Sequence, residues 1–275
     1  MSMMIHFYFL CYAALLQRSI ADLPLGFVYL HDIAPDIQVS LRYASEENFI
    51  GRVVNGYKAN VSIMTEAAAL SLKRAQTLAK NDGFELVIYD SYRPQKSVDQ
   101  FVVWSQNASD QIKKQSYYPR VIKLDEFDLG FTANQSGHTR GSTIDLTLIK
   151  SGKKVIHPIQ YVNRTLTDNY IIWLLDDGTV DMGSSFDLSD EASYTNSTLV
   201  NDDYRQTRAY LKGIMEMAGF SNYPLEWWHY TLNNETFPDT YFDFDIEETP
   251  LKNNGHRQLL NFTVIDLCLI YSILF

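Results

Sequence analysis

Two short segments bring imidazole and carboxylate groups close together along the chain. The first is Ser136-Gly137-His138-Thr139-Arg140-Gly141-Ser142-Thr143-Ile144-Asp145 and the second is Glu226-Trp227-Trp228-His229. Zinc takes histidine nitrogen and carboxylate oxygen, and a catalytic zinc keeps three protein ligands and one open position. His138, Asp145 and His229 offer two nitrogens and one oxygen. Glu226 then stays free three residues before a ligand, where a base for water activation can sit. The ordinary alternative stands beside each residue taken singly: a histidine among aromatics serves as readily in a core or at a surface. Neither segment is the HExxH pattern.

A third segment, Asp90-Ser91-Tyr92-Arg93-Pro94, joins a strand pattern to a helix pattern. Pro94 holds Arg93 extended, and such junctions commonly carry functional side chains. Arg93 there can stabilise an oxyanion or bind a carboxylate; a surface ion pair with Asp90 is the plain alternative. A fourth, Met182-Gly183-Ser184-Ser185-Phe186-Asp187, is a turn followed by an acid and reads on its own as a polar loop.

Hydrophobic periodicity supplies the elements that must position these groups. Ile37, Val39 and Leu41 alternate with Gln38, Ser40 and Arg42, which predicts a half-buried strand. Residues 65–80 predict a helix with Ala68, Leu72, Ala75 and Ala79 on one face and Gly83 just past its end. Residues 84–89 predict a strand, and Pro94 opens a second helix with Val98, Phe101 and Val102 inward. In the strand predicted over 143–149, Ile144, Leu146 and Leu148 face one way and Thr143, Asp145 and Thr147 the other. A carboxylate on the second face needs solvent, a cation or a metal. Residues 203–218 predict a helix closed by Gly219, and 227–232 a strand, with Glu226 on the loop or bend that enters it. Strands and helices alternate without a strict βαβ repeat. The expected class is therefore α+β: one compact domain with a mainly antiparallel central sheet flanked by helices.

The chain has 275 residues, 46% of them hydrophobic, and a formal net charge of −10. That composition supports a sizeable core and excludes collagen-like or wholly disordered chains. An acidic chain without a Lys/Arg cluster is not expected to bind nucleic acid. Residues 1–21 read as a signal peptide: a short apolar run, then Ser19-Ile20-Ala21 before the cut. The main domain is expected over 22–256. The apolar tail, 257–275, reads as a segment packed on the domain, with a membrane anchor or GPI signal as the competing reading. Cys11 and Cys268 fall in the two ends, so the body of the chain has neither a disulfide framework nor a Cys-ligated metal. Sequons at Asn60, Asn107, Asn134, Asn163, Asn196, Asn234 and Asn261 fit a secreted glycoprotein. The oligomeric state is not legible.

Taken in order, SYRP, SGHTRGSTID, MGSSFD and EWWHY resemble the zinc D-alanyl-D-alanine dipeptidases of the vancomycin-resistance type, within the D-Ala-D-Ala peptidase family. The resemblance runs from about Leu30 to Phe244. It implies the Hedgehog/D-Ala-D-Ala peptidase-like fold, one Zn2+ per chain and a small D,D-dipeptide as substrate. It makes His138, Asp145 and His229 the zinc ligands, Glu226 the general base and Arg93 the group that stabilises the tetrahedral intermediate. Asp187 then holds the substrate ammonium, and Ser136 and Tyr43 line the pocket. The stretch 149–180 is longer than the family pattern and is expected to form a surface insertion that alters access to the pocket. Two other functions compete: a D,D-carboxypeptidase acting on longer peptidoglycan stems, and a non-catalytic, zinc-stabilised extracellular module.

Overall fold

The computed structural model describes residues 23–248. The expected leader and apolar tail lie outside the described residues. In chain order the elements are β1 (Phe27–Tyr29), α1 (Leu30–Ile33), β2 (Gln38–Val39), β3 (Ile63–Thr65), α2 (Glu66–Asn81), β4 (Phe84–Asp90), α3 (Gln95–Gln106), α4 (Lys114–Tyr117), β5 (Thr143–Lys150), β6 (Gln160–Thr165), β7 (Ile171–Asp176), α5 (Asp202–Met217), β8 (Phe220–Asn222) and β9 (His229–Leu232).

Five strands form the central sheet in the order β2-β4-β5-β9-β8. β2 runs parallel to β4, and the other pairings are antiparallel. This is the α+β arrangement that the alternation of patterns predicts. β2 is shorter than the alternation 37–41 suggests: Gln38 and Val39 pair with Val87 and Ile88 of β4, and the contact ends with the Ser40 N–H donating to Ile88 O.

The long helices pack against the sheet and against each other through small and aliphatic faces. α2 begins at Thr65, whose hydroxyl accepts a hydrogen bond from the Ala68 N–H, an N-cap worth about 1 kcal/mol. It buries Ala68, Leu72, Ala75 and Ala79. α5 buries Leu211, Ile214 and Met215 and, in the same stripe, Arg208.

Cross-strand register sets the positions that matter. Asp90 on β4 pairs with Asp145 on β5, after a bulge beyond Ile88. Asp145 in turn pairs with His229 on β9. Side chains of directly opposed residues share a face and lie about 5 Å apart at Cβ. Three strands thus line up Asp90, Asp145 and His229 in one row. Both faces of β5 are buried from Thr143 to Ile149, so the polar face of the predicted strand is not turned to solvent.

The stretch 149–180 contains the β6–β7 hairpin, a separate two-stranded sheet with exposed Tyr161, Val162, Ile171 and Trp173. The strand predicted over 227–232 starts at His229, because Trp227 and Trp228 lie in a turn: the Trp227 N–H donates to Ser193 O and the His229 N–H to Glu226 O. Glu226 lies on the loop entering β9, as the aromatic-rich sequence predicts.

Candidate metal centre and substrate cavity

His138 sits in a 3-10 turn, Gly137–Arg140, immediately before β5. The Ser136 hydroxyl accepts from the His138 N–H and starts the turn. Gly141 ends it with φ +79, and a Cβ there would lie 2.3 Å from the Phe27 ring. Gly137 is equally constrained, since its Cβ would stand 2.5 Å from Thr143 Oγ1. The SGHTRG segment is therefore built around two positions with no room for a side chain, and the result is a fully buried His138.

The turn and the register bring His138, Asp145 and His229 together. One ligand atom from each falls within 4.8 Å of the other two. His138 Nε2 lies 3.3 Å from Asp145 Oδ2, and His229 Nδ1 lies 3.1 Å from Asp145 Oδ1. His138 Nδ1 is 2.7 Å from Ser91 O, so it carries the proton and donates to that carbonyl. This fixes the tautomer that leaves the Nε2 lone pair free, as a metal ligand requires. His138 Nε2 and Asp145 Oδ1 are buried and have no hydrogen-bond partner among the described residues. Buried polar atoms are normally paired. Two orphaned lone-pair atoms facing one imidazole fit a bound cation, and the two-nitrogen, one-oxygen donor set fits zinc.

The charges agree. Burial works against the Asp145 carboxylate, but the imidazoles of His138 and His229 outweigh it and hold Asp145 well below the usual carboxylate range. Burial also works against a charged His229, yet Asp145 and Glu226 push its imidazole up to about 10. A metal taking that nitrogen must displace its proton. Glu226 Oε2 lies 3.2 Å from His229 Nδ1, beside the triad.

Arg93 is held, rather than being a surface group. Its Nε donates to Asp90 Oδ2 at 2.8 Å and its Nη2 lies 3.5 Å from Asp145 Oδ2. The guanidinium stands 5.0 Å from the Tyr43 ring centroid. Asp90 is fully buried and accepts from Tyr57 Oη at 2.6 Å. The surface ion pair that the segment alone allows is thus a buried one, tied by register to the candidate ligand Asp145. Asp187 adopts φ +60 and accepts from Tyr43 Oη at 2.8 Å. Burial, reinforced by Asp145, holds the Asp187 carboxyl well above its usual range.

These groups face one cavity of about 220 Å³, whose walls include Tyr43, Arg93, Ser136, Asp145, Asp187, Glu226 and His229. That is smaller than the roughly 300–1,000 Å³ of pockets for drug-sized ligands. The β6–β7 hairpin is not among the residues lining it. Asn134 is exposed between the lining residues Ala133 and Gln135.

Two residues join the site that the segments do not announce. Arg208 is fully buried and donates to the carbonyls of Met182, Tyr194 and Ala192 and to Ser184 Oγ. Ser184 Oγ also accepts from Trp227 Nε1. One guanidinium therefore ties the MGSSFD turn to the EWWH segment. A detectable signal existed: Arg208 occupies a position in the apolar stripe of α5.

Glu126 is the other. Burial, with Glu226 nearby, pushes its carboxyl from 4.5 up to about 7. The fold binds this proton more tightly than the unfolded chain does. Stability from the group is therefore complete below about 4.5 and is lost as pH rises through about 7. The loss is roughly 3 kcal/mol. Glu126→Met is accordingly expected to melt higher than the wild type at pH 8, with the gap closing towards pH 5. A gap in Tm that does not depend on pH would contradict this account of Glu126.

A model of the D-ala-D-ala dipeptidase family (Peptidase M15) matches residues 24–157 and 167–247. The residues it passes over, 158–166, take in all of β6. The chain is 38% identical over 222 residues to a D-alanyl-D-alanine dipeptidase of Enterococcus faecalis, covering 80% of this chain and 98% of that protein. It is likewise 38% identical over 220 residues to one of Streptomyces coelicolor, covering 80% and 98%. A more distant similarity, 27% over 200 residues, is to a D-alanyl-D-alanine dipeptidase of Escherichia coli, covering 73% and 81%.

Proposed function

Since this chain belongs to the D-ala-D-ala dipeptidase family, we propose that it hydrolyses the free dipeptide D-alanyl-D-alanine, with zinc held by His138, Asp145 and His229. The observation that carries this reading is the orphaned pair His138 Nε2 and Asp145 Oδ1, facing His229 with Glu226 alongside. When bound, zinc supplies Lewis acidity at the scissile carbonyl and acidifies water. Glu226 accepts the proton of the attacking water and delivers it to the leaving amine. Arg93, pre-set by Asp90, stabilises the developing oxyanion. Asp187, oriented by Tyr43, takes the substrate ammonium, whose arrival offsets both the burial and the repulsion from Asp145. Ser136 contributes a polar edge to the same cavity. The direct test is D-Ala-D-Ala hydrolysis by the purified chain, lost to a chelator and restored by zinc; an unchanged rate after complete metal removal would refute the reading.

The small cavity and Asp187 favour a free dipeptide over a longer stem. Asp187→Asn suits this question because asparagine tolerates the left-handed backbone and still accepts from Tyr43. Losing the charge is expected to lower kcat/KM for D-Ala-D-Ala about 10- to 100-fold, the worth of a charged hydrogen bond. The wild type should cleave N-acetyl-D-Ala-D-Ala poorly, and the variant should discriminate less between the two. Equal rates on both substrates in the wild type would favour the D,D-carboxypeptidase instead.

We also propose that the protein is secreted and glycosylated. The six sequon asparagines within the described residues, Asn60, Asn107, Asn134, Asn163, Asn196 and Asn234, are all exposed, as glycan acceptors must be. Deleting residues 1–21 should retain the protein inside a eukaryotic host and leave it without glycan. Export of the truncated chain would exclude this.

A further inference from the structure

The cavity wall contains a carboxyl that the mechanism does not use. Glu126 is only 2% exposed yet lines the cavity. Its Oε2 accepts from the Ser189 hydroxyl at 2.9 Å, while Oε1 is buried with no hydrogen-bond partner among the described residues. The backbone that carries it is fixed, since its carbonyl accepts the N–H groups of Phe131 and Thr132. Neighbouring lysines are turned elsewhere: Lys123 Nζ donates to the carbonyls of Asn107 and Asp110, and Lys114 Nζ to that of Val121. A buried acceptor left unpaired is costly, so one on a residue that lines a ligand cavity is a place for a ligand donor.

We propose that Glu126 determines substrate specificity, its free oxygen accepting a hydrogen bond from a side-chain hydroxyl of the dipeptide, so that a seryl dipeptide is preferred to D-Ala-D-Ala. The inference rests on the dipeptidase reading. A hydroxyl is the donor that suits the space, since it adds a single oxygen to an alanine side chain. A long ammonium-bearing side chain does not suit a cavity of about 220 Å³. The Ser189 contact already shows this carboxyl working through hydroxyl hydrogen bonding. Sites built to pair a substrate hydroxyl discriminate strongly against the analogue that lacks it, whereas apolar pockets barely notice an added hydroxyl.

The test is kcat/KM for D-Ala-D-Ser, D-Ser-D-Ala and D-Ala-D-Ala with the zinc-loaded full chain, as wild type, Glu126→Met and Glu126→Gln. One seryl dipeptide is expected to exceed D-Ala-D-Ala by about tenfold or more in the wild type. The preference should fall to within about twofold of unity in Glu126→Met and persist in Glu126→Gln, which keeps an acceptor. If Glu126→Met does not fold, Glu126→Asp draws the carboxyl back by one methylene and should lose the preference too. A wild type without the preference, or a preference that survives both substitutions, overturns the assignment while leaving the dipeptidase reading intact. Failure of the wild type to cleave any of the three dipeptides defeats both together.

Discussion

Glu226→Gln is expected to reduce kcat for D-Ala-D-Ala by about 10²- to 10⁴-fold, the usual worth of a positioned general base, with zinc content still one per chain. The substitution is nearly isosteric, and the backbone of the turn that carries it is fixed independently: the Glu226 N–H donates to Tyr223 O, and its carbonyl accepts from Asn222 Nδ2. The fold and the ligand row should therefore survive. What disappears is the acceptor for the water proton. Removing this carboxylate also removes one of the two acids that raise His229, so metal should bind at least as well as before. KM should change little, because in the proposed mechanism Glu226 acts on the reacting water rather than on the ends of the substrate. Steady-state kinetics paired with elemental analysis separate these effects. A fully metallated variant turning over at the wild-type rate would remove Glu226 from the mechanism.

Asp145→Asn should act one step earlier, on the metal itself. In the proposed site Asp145 supplies the anionic ligand, and it lies between His138 and His229. Asparagine keeps the shape but not the charge that holds both imidazoles in place. Zinc affinity is expected to fall by more than the roughly 10- to 100-fold typical of changes outside the coordination sphere, and hydrolysis at limiting zinc with it. Thermal unfolding gives a reading independent of activity. Zinc at about 1,000 times its dissociation constant stabilises the wild type by about 4 kcal/mol. The variant at the same concentration should gain far less. An Asp145→Asn protein that zinc stabilises as strongly as the wild type would show that the ion binds elsewhere.

The parts of the fold legible in the sequence are those with strong local patterns. α2 and β4 emerge from their apolar periodicity, and β5 from strict alternation. The helix after Pro94 appears from the proline itself. The hairpin β6–β7 and the short β8 lack such patterns: β6 is almost wholly exposed, and three residues of β8 carry no periodicity. The candidate ligands were legible as residue types at suggestive spacings, but their convergence was not. It depends on Asp145 pairing with His229 across β5 and β9, a long-range register that local spacing does not encode. Asp90 looked like a surface partner for Arg93 because nothing in Asp90-Ser91-Tyr92-Arg93 reveals that β4 is buried at that end. Arg208 could have been found as the charged member of an apolar helical stripe. Glu126 could not: it lies in Leu124-Asp125-Glu126-Phe127-Asp128, where the acids read as solvated, and only the packing of Ser189 and the cavity wall around it sets it apart.

Zinc-edge X-ray absorption on the purified chain, with the metal content measured on the same sample, examines the convergence itself. The expected outcome is one zinc per chain, with two imidazole nitrogens and a carboxylate oxygen in the coordination sphere, and loss of one imidazole in His138→Ala and in His229→Ala. A chain that holds well under one zinc, or a spectrum that neither substitution alters, would contradict the account at its root.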